Sequence, residues 1–191
     1  MKLWSLSLLA LLSSSISVAT SAAELTQLNQ DKSQISFVSK QMGVPVEGRF
    51  KKFDAKIAVD PAKPEAGRAQ FEVDLGSIDT GNSEADSEVK GKSWFNTSLF
   101  PKANFVSKQV RSLGNGRYEA LGQLTIKGVA RDIAAPFSVK TENGVTLFEG
   151  SFTLNRLPFK IGEGVWSDTT TVADEVQVKF KIFLTASAAK K

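Results

Sequence analysis

The chain has 191 residues, 41% of them hydrophobic, with 24 Lys+Arg against 20 Asp+Glu and neither cysteine nor histidine. Lack of cysteine excludes disulfides, thiolate chemistry and a lipid-modified cysteine, and lack of histidine excludes Ser-His and Cys-His nucleophile pairs and His-based zinc sites. The positive charges are scattered rather than striped, so nothing here reads as a nucleic-acid surface.

Met1 to Ala23 has Lys2, an apolar run from Leu3 to Leu12, and small residues Ser21-Ala22-Ala23 before Glu24. This is the layout of a secretory signal peptide, too short in its apolar run to span a bilayer, and a cut after Ala23 is predicted. Residues 24–191 then form one domain with 23 Lys+Arg and 20 Asp+Glu and no later membrane span. An exported chain without disulfides fits a bacterial periplasm.

Gln34 to Ser39 places Ile35 and Phe37 on one face, a first strand ended by Gly43. In Val46 to Val59 the apolar parity switches between Phe50 and Phe53, so a long strand bent at Lys51-Lys52 is predicted, with two short strands as the alternative. Ala69, Phe71, Val73 and Leu75 alternate in a third strand. From Asn82 to Trp94 the alternation stops. Asn82 or Ser83 as cap, Asp86 in the first turn and Lys90 and Lys92 near the end predict a short helix, which Trp94, Phe95 and Phe100 would pin over one end of the molecule.

Strands resume from Ala103 to Val110, and the inward set Tyr118, Ala120, Gly122, Leu124 and Ile126 follows a Gly114-Asn115-Gly116 turn. After Lys127-Gly128 come Ile133, Ala135, Phe137 and Val139, and after Asn143-Gly144 come Thr146, Phe148, Gly150, Phe152 and Leu154. The last strand has Val176, Val178, Phe180, Ile182 and Leu184 against Glu175, Gln177, Lys179 and Lys181. The fold class is therefore all-β: eight antiparallel strands closed into a barrel, with one short helix, about Asn82 to Trp94, near one end. A membrane barrel uses the same alternation, but it needs aromatic girdles, and the final strand runs out into Ala186-Ser187-Ala188-Ala189-Lys190-Lys191.

Inward phenylalanines with inward Ala120, Gly122, Ala135 and Gly150 leave room for a hydrocarbon in the lumen, although a filled barrel acting as an interaction module has the same pattern. Arg156 continues the parity of Phe152 and Leu154, so an unbroken strand aims its guanidinium into the apolar interior, where it needs a partner. That partner is either the polar head of a bound amphiphile, gripped by the guanidinium fork, or water or an acid of this protein at the rim. An enzyme would have to use Asp168, Asp174 or Arg156. Turn capping is the simpler role for the two acids.

Ile35-Ser36-Phe37 with Met42-Gly43 and Gly48-Arg49-Phe50, Ser77-Ile78-Asp79-Thr80, Trp94-Phe95 before Phe100-Pro101 and Phe105, Leu124-Thr125-Ile126-Lys127-Gly128-Val129, and Arg156 with Phe159-Lys160-Ile161-Gly162 and Glu175-Val176 together resemble the YceI family of bacterial polyisoprenoid-binding proteins. The resemblance implies a periplasmic, lipocalin-like barrel that holds a polyprenyl chain, such as an isoprenoid quinone or polyprenyl phosphate, with no catalytic residue set and no cofactor beyond that lipid. Two positions depart from the pattern. Gln41 stands where many members have histidine, and Pro158-Phe159-Lys160-Ile161 replaces an Asp-Phe-Gly-Ile type segment, which puts Lys160 near the expected mouth. The expected ligand-binding set is Phe37, Phe50, Phe53, Phe71, Phe137, Gly150, Phe152, Leu154, Arg156, Phe159, Trp166, Val178 and Phe180. A homodimer is compatible with this reading, but no stretch encodes its interface.

Overall fold

The last strand, β11 (Glu175–Ala186), has both its edges paired: β10 (Val145–Asn155) runs along its whole length, and β2 (Gln34–Gln41) and β1 (Leu25–Leu28) share the other side. This is a computed structural model, and it describes residues 25–60 and 63–186. The predicted export segment lies outside the described residues.

The remaining elements are β3 (Val44–Phe50), β4 (Phe53–Ala58), β5 (Arg68–Asp74), β6 (Ile78–Asp79), α1 (Ser83–Lys90), β7 (Lys102–Gly114), β8 (Arg117–Ile126) and β9 (Val129–Glu142). The sheet is antiparallel in the order β4-β5-β7-β8-β9-β10-β11-β2-β3-β6, with β1 on β11. Lys51 and Lys52 join β3 to β4, which lie near opposite ends of this order, so the bend draws the two ends of the sheet together. The Leu25 amide completes the curl by donating to the Val59 carbonyl at 2.9 Å, which places β1 between β11 and β4.

The eleven strands contain the eight expected ones. Of the two readings of Val46 to Val59, the two short strands are what forms: β3 pairs with β2 and β6 and β4 with β5, and Phe50 and Phe53 both face inward because the two residues between the strands reset the parity. β1 and the two-residue β6 are additions that carry too little alternation to be seen in sequence. Four hairpins close on two-residue turns, Met42-Gly43, Asn115-Gly116, Lys127-Gly128 and Asn143-Gly144, with positive φ at both positions, as type I′ turns require. The helix is shorter than expected. The Asn82 carboxamide oxygen accepts from the amides of Glu84 and Ala85 at 2.9 and 3.0 Å, and the helix stops before Gly91, so Trp94 and Phe95 belong to the turns that follow.

One end of the barrel is a packed floor. Leu75, Ala103, Leu124, Ile126, Leu154, Phe159 and Ile161 are buried there, with Trp94, Phe95 and Phe50 against them. A second cluster, Leu25, Phe53, Val59, Ile182 and Leu184, seals the seam where β1 meets β4 and β11. Burying side chains such as Ile182 and Leu184, 1% and 0% exposed, is worth roughly 1.5–3 kcal/mol each.

Candidate ligand cavity

Above the floor the inward faces do not meet. They enclose a cavity of about 180 Å³ that runs from Phe152, Val178 and Leu124 to Val59, Pro64, Gly67 and Arg68. Its wall takes Phe71 and Val73 from β5, Phe105 and Val110 from β7, Ala120 from β8, Ile133, Ala135 and Phe137 from β9, Phe148 from β10, and Phe180 and Ile182 from β11. Ile35, Ile57 and Ala69 complete the lining, and Arg68 is its one charged residue. No carboxylate, hydroxyl or amide side chain lines it among the described residues. The rings of Phe71, Phe105, Phe137, Phe148, Phe152 and Phe180 stay half-buried because they face this space rather than one another's full surface.

The charged groups of the interior are at the floor. Arg156 is 2% exposed, and all its donors end on backbone carbonyls: Nε on Ala173 at 3.0 Å, Nη1 on Ile161 and Gly162 at 2.9 and 3.1 Å, Nη2 on Trp166 and Val172 at 2.6 and 2.7 Å. Five N–H groups meet five carbonyls, so none is left for a ligand. The guanidinium also lies over the Trp94 ring, 5.5 Å from its centroid. Burial pushes its pKa down, partly offset by the charge of Asp174. Lys127 makes a second clamp. Its Nζ donates to the carbonyls of Lys92 and Lys160 at 3.0 and 2.7 Å and to Glu163 at 2.8 Å. The hydrogen bond from Lys127 holds the Glu163 carboxyl below its ordinary range.

The acids weighed for catalysis are structural and lie outside the cavity lining. Asp168 is exposed and caps its own turn, accepting from the Thr170 amide at 2.8 Å and the Thr170 hydroxyl at 2.7 Å, and these bonds lower its pKa, the hydroxyl most. Asp174 accepts from the Leu157 amide at 2.9 Å. Among the described residues no group of acids is placed to hold a metal ion, and no helix is long and apolar enough to cross a membrane.

The YceI-like domain model matches residues 27–184. This chain belongs to that family. The crystal structure of BcnA from Burkholderia cenocepacia superposes with a TM-score of 0.81 at 42% identity, covering 83% of this chain and 100% of that one. Two more distant structures share the fold. A YceI protein of Campylobacter jejuni has a TM-score of 0.70 at 23% identity over 75% and 86% of the two chains. A Saccharophagus degradans domain, described as polyisoprenoid-binding and implicated in plant cell wall breakdown, has 0.68 at 18% over 87% and 100%. A UPF0312 protein of Shewanella denitrificans is 35% identical over 88 residues, 46% of each chain, and one from Yersinia pestis is 34% identical over 100 residues, 52% of each. The matched stretch thus spans about half the length of these curated relatives.

In this YceI-like barrel five of the thirteen expected ligand residues line the cavity: Phe71, Phe137, Phe152, Val178 and Phe180. The others face elsewhere. Phe37 and Phe50 meet at a tilt with ring centroids 5.7 Å apart, and Phe50 contacts Phe95 at 6.2 Å on the floor side. Phe53 is in the seam cluster, and Leu154 and Phe159 are in the floor. Trp166 lies 5.5 Å from Trp94 and donates its indole N–H to Glu88 at 2.9 Å. Gly150 is in the wall because a side chain there would collide: a Cβ would sit 2.2 Å from the Pro136 carbonyl and 2.6 Å from the Phe180 ring. Gly122 has the same cause, with Phe105 at 2.5 Å, so of the four small inward residues only Ala120 and Ala135 open the lumen.

Arg156 misses the cavity because the strand ends one residue earlier. Arg156 takes helical φ and ψ of −75° and −37°, so the alternation of β10 no longer aims its side chain. Its hydrogen-bond partners are the carbonyls of the loop it organises, with the charge of Asp174 nearby. Lys160, expected near the mouth, is on the floor side, where its carbonyl serves the Lys127 clamp. Gln41, at the position where many members carry histidine, is exposed and bridges to Val172. The cavity residues missed in sequence, such as Ile35, Ile57, Phe105 and Phe148, carried the inward parity. Their depth along the barrel had no sequence signal.

Proposed function

We propose that this protein is a non-catalytic carrier, exported to the periplasm, that takes the hydrocarbon tail of a polyisoprenoid or a similar amphiphile into its barrel. The observation that carries this reading is the open cavity of about 180 Å³ with an almost wholly hydrocarbon wall. Each CH₂ buried there gains roughly 0.8 kcal/mol gross, less the cost of ordering the chain. The polyisoprenoid-binding description of the Saccharophagus degradans domain points to the same ligand class. Among the described residues no carboxylate or hydroxyl lines the wall, so none of the described lining offers a nucleophile or general base to a bound lipid.

The resting cavity is little larger than the ~150 Å³ that accommodates one benzene. A long chain therefore enters by pushing lining rings aside, and the half-buried phenylalanines, each with two rotatable side-chain bonds, are the groups that can move.

Native mass spectrometry of the protein purified from its own periplasm, followed by organic extraction, tests the reading. A discrete adduct of isoprenoid mass, lost in an Ala120→Phe variant that fills the lumen, is the expected result. A bare mass that stays bare when isoprenoid quinones and polyprenyl phosphates are offered would overturn it.

A further inference from the structure

A site that selects a lipid by its head needs a polar group aimed at where the head will be, and among the described residues the wall offers one charged side chain, Arg68, held at the outer face of β5. Arg156 has all five donors on carbonyls. Lys127, the other buried cation, has its three on Lys92, Lys160 and Glu163. Arg68, the charged residue of the wall, begins β5 on the outward parity of Gln70 and Glu72, is exposed, and donates Nη1 to the carbonyls of Ala66 and Gly67 at 3.1 Å each. One buried side-chain donor lacks a partner among the described residues, Trp94 Nε1. Trp94 packs with the floor cluster, against Arg156 and Trp166, and does not line the cavity.

A phosphate or quinone head drawn into this lumen would lose its hydration and find no hydrogen bond in return, which costs affinity. A head left outside loses nothing. We propose that the cavity recognises the aliphatic tail alone and leaves the head in water, so that phosphorylated, neutral and headless isoprenoids of equal length bind equally well. This inference rests on the carrier reading above. The ligand class becomes a set of tails, ranked by how much hydrocarbon the widened lumen can cover.

The test is displacement of N-phenylnaphthylamine from the purified protein by three compounds with one tail and different heads: farnesene, farnesol and farnesyl phosphate, with inorganic phosphate as a fourth competitor. The three farnesyl compounds are expected to agree within about threefold, and inorganic phosphate not to compete. Farnesyl phosphate is expected to hold its affinity between about 50 and about 500 mM salt, since a head in water makes no ion pair to screen. Lengthening the tail tightens binding by up to about fourfold per methylene buried, until the lumen is full. Discrimination of about tenfold or more between the heads, or a salt-sensitive farnesyl phosphate, would overturn the inference while leaving the carrier reading in place. So would a Trp94→Phe variant that weakens farnesol but not farnesene, since the head would then reach the floor. If none of the three farnesyl compounds competes, the carrier reading falls and takes the inference with it.

Discussion

The floor and the lumen of this barrel are built from the same strands and handle polar groups in opposite ways. The floor concentrates them: Arg156 on five carbonyls, Lys127 on two carbonyls and Glu163, with the turns after α1 and residues 157–173 wrapped around the two cations. The lumen keeps all but Arg68 out of its wall among the described residues and leaves phenylalanine rings half-covered. A buried cation with every donor placed fixes one arrangement of the loops around it, whereas an apolar wall with free space has no directional bonds and can rearrange. Closure at one end and adaptability in the middle follow from that difference.

Replacing Arg156 breaks the comparison at its rigid side. An Arg156→Leu protein leaves five carbonyls without their donor and is expected to lose on the order of 3–5 kcal/mol of stability in denaturant unfolding, with Arg156→Lys recovering little because a point charge with three donors cannot reach five acceptors. An unchanged midpoint with lost lipid uptake would instead make Arg156 a ligand anchor. Gly150→Ala comes next. The clash with the Pro136 carbonyl predicts a loss of about 1–3 kcal/mol by the same measurement, and an unchanged midpoint would show that the wall there is slack.

Ala120→Leu sharpens the other side. It fills open lumen, so unfolding should shift by less than about 1 kcal/mol while affinity for a farnesyl tail, measured by probe displacement, falls by about tenfold or more. A large fall in stability with unaltered binding would mean that the space is packed. The smallest expected effect is at Glu163. Its pKa in the folded protein lies below the ordinary 4.5, so its share of stability is present above the unfolded value and is lost as pH falls through the folded one. Acid titration of unfolding should therefore be flatter for Glu163→Gln than for the unchanged protein below about pH 4.5. Parallel curves would remove Glu163 from the Lys127 clamp.

The barrel was legible in the residues because period two is a local property: Val176 to Leu184 alternate in sequence and face one way in space. The parity switch at Lys51-Lys52 was legible for the same reason, but it fits one bent strand as well as two short ones, and only the pairing of β3 with β2 and of β4 with β5 decides for two. The candidate site was legible only in part. Parity says in or out and is silent on depth, so Phe37 and Phe71 looked alike although one packs at a tilt on Phe50 on the floor side and the other lines the cavity. Parity also holds only while the strand lasts, and for Arg156 it had ended one residue too soon.

The sequence by itself determined the strand pattern, the turn positions, the exclusion of thiol and imidazole chemistry and the apolar character of whatever the barrel encloses. Only the tertiary structure decided which inward side chains meet a void, that Gly122 and Gly150 permit close approach where Ala120 and Ala135 leave space, and that the buried arginine places its donors on the carbonyls of the floor. Those outcomes depend on distances between strands far apart in the chain, such as Pro136 beside Gly150 and Ala173 beside Arg156, and no local rule of spacing contains them.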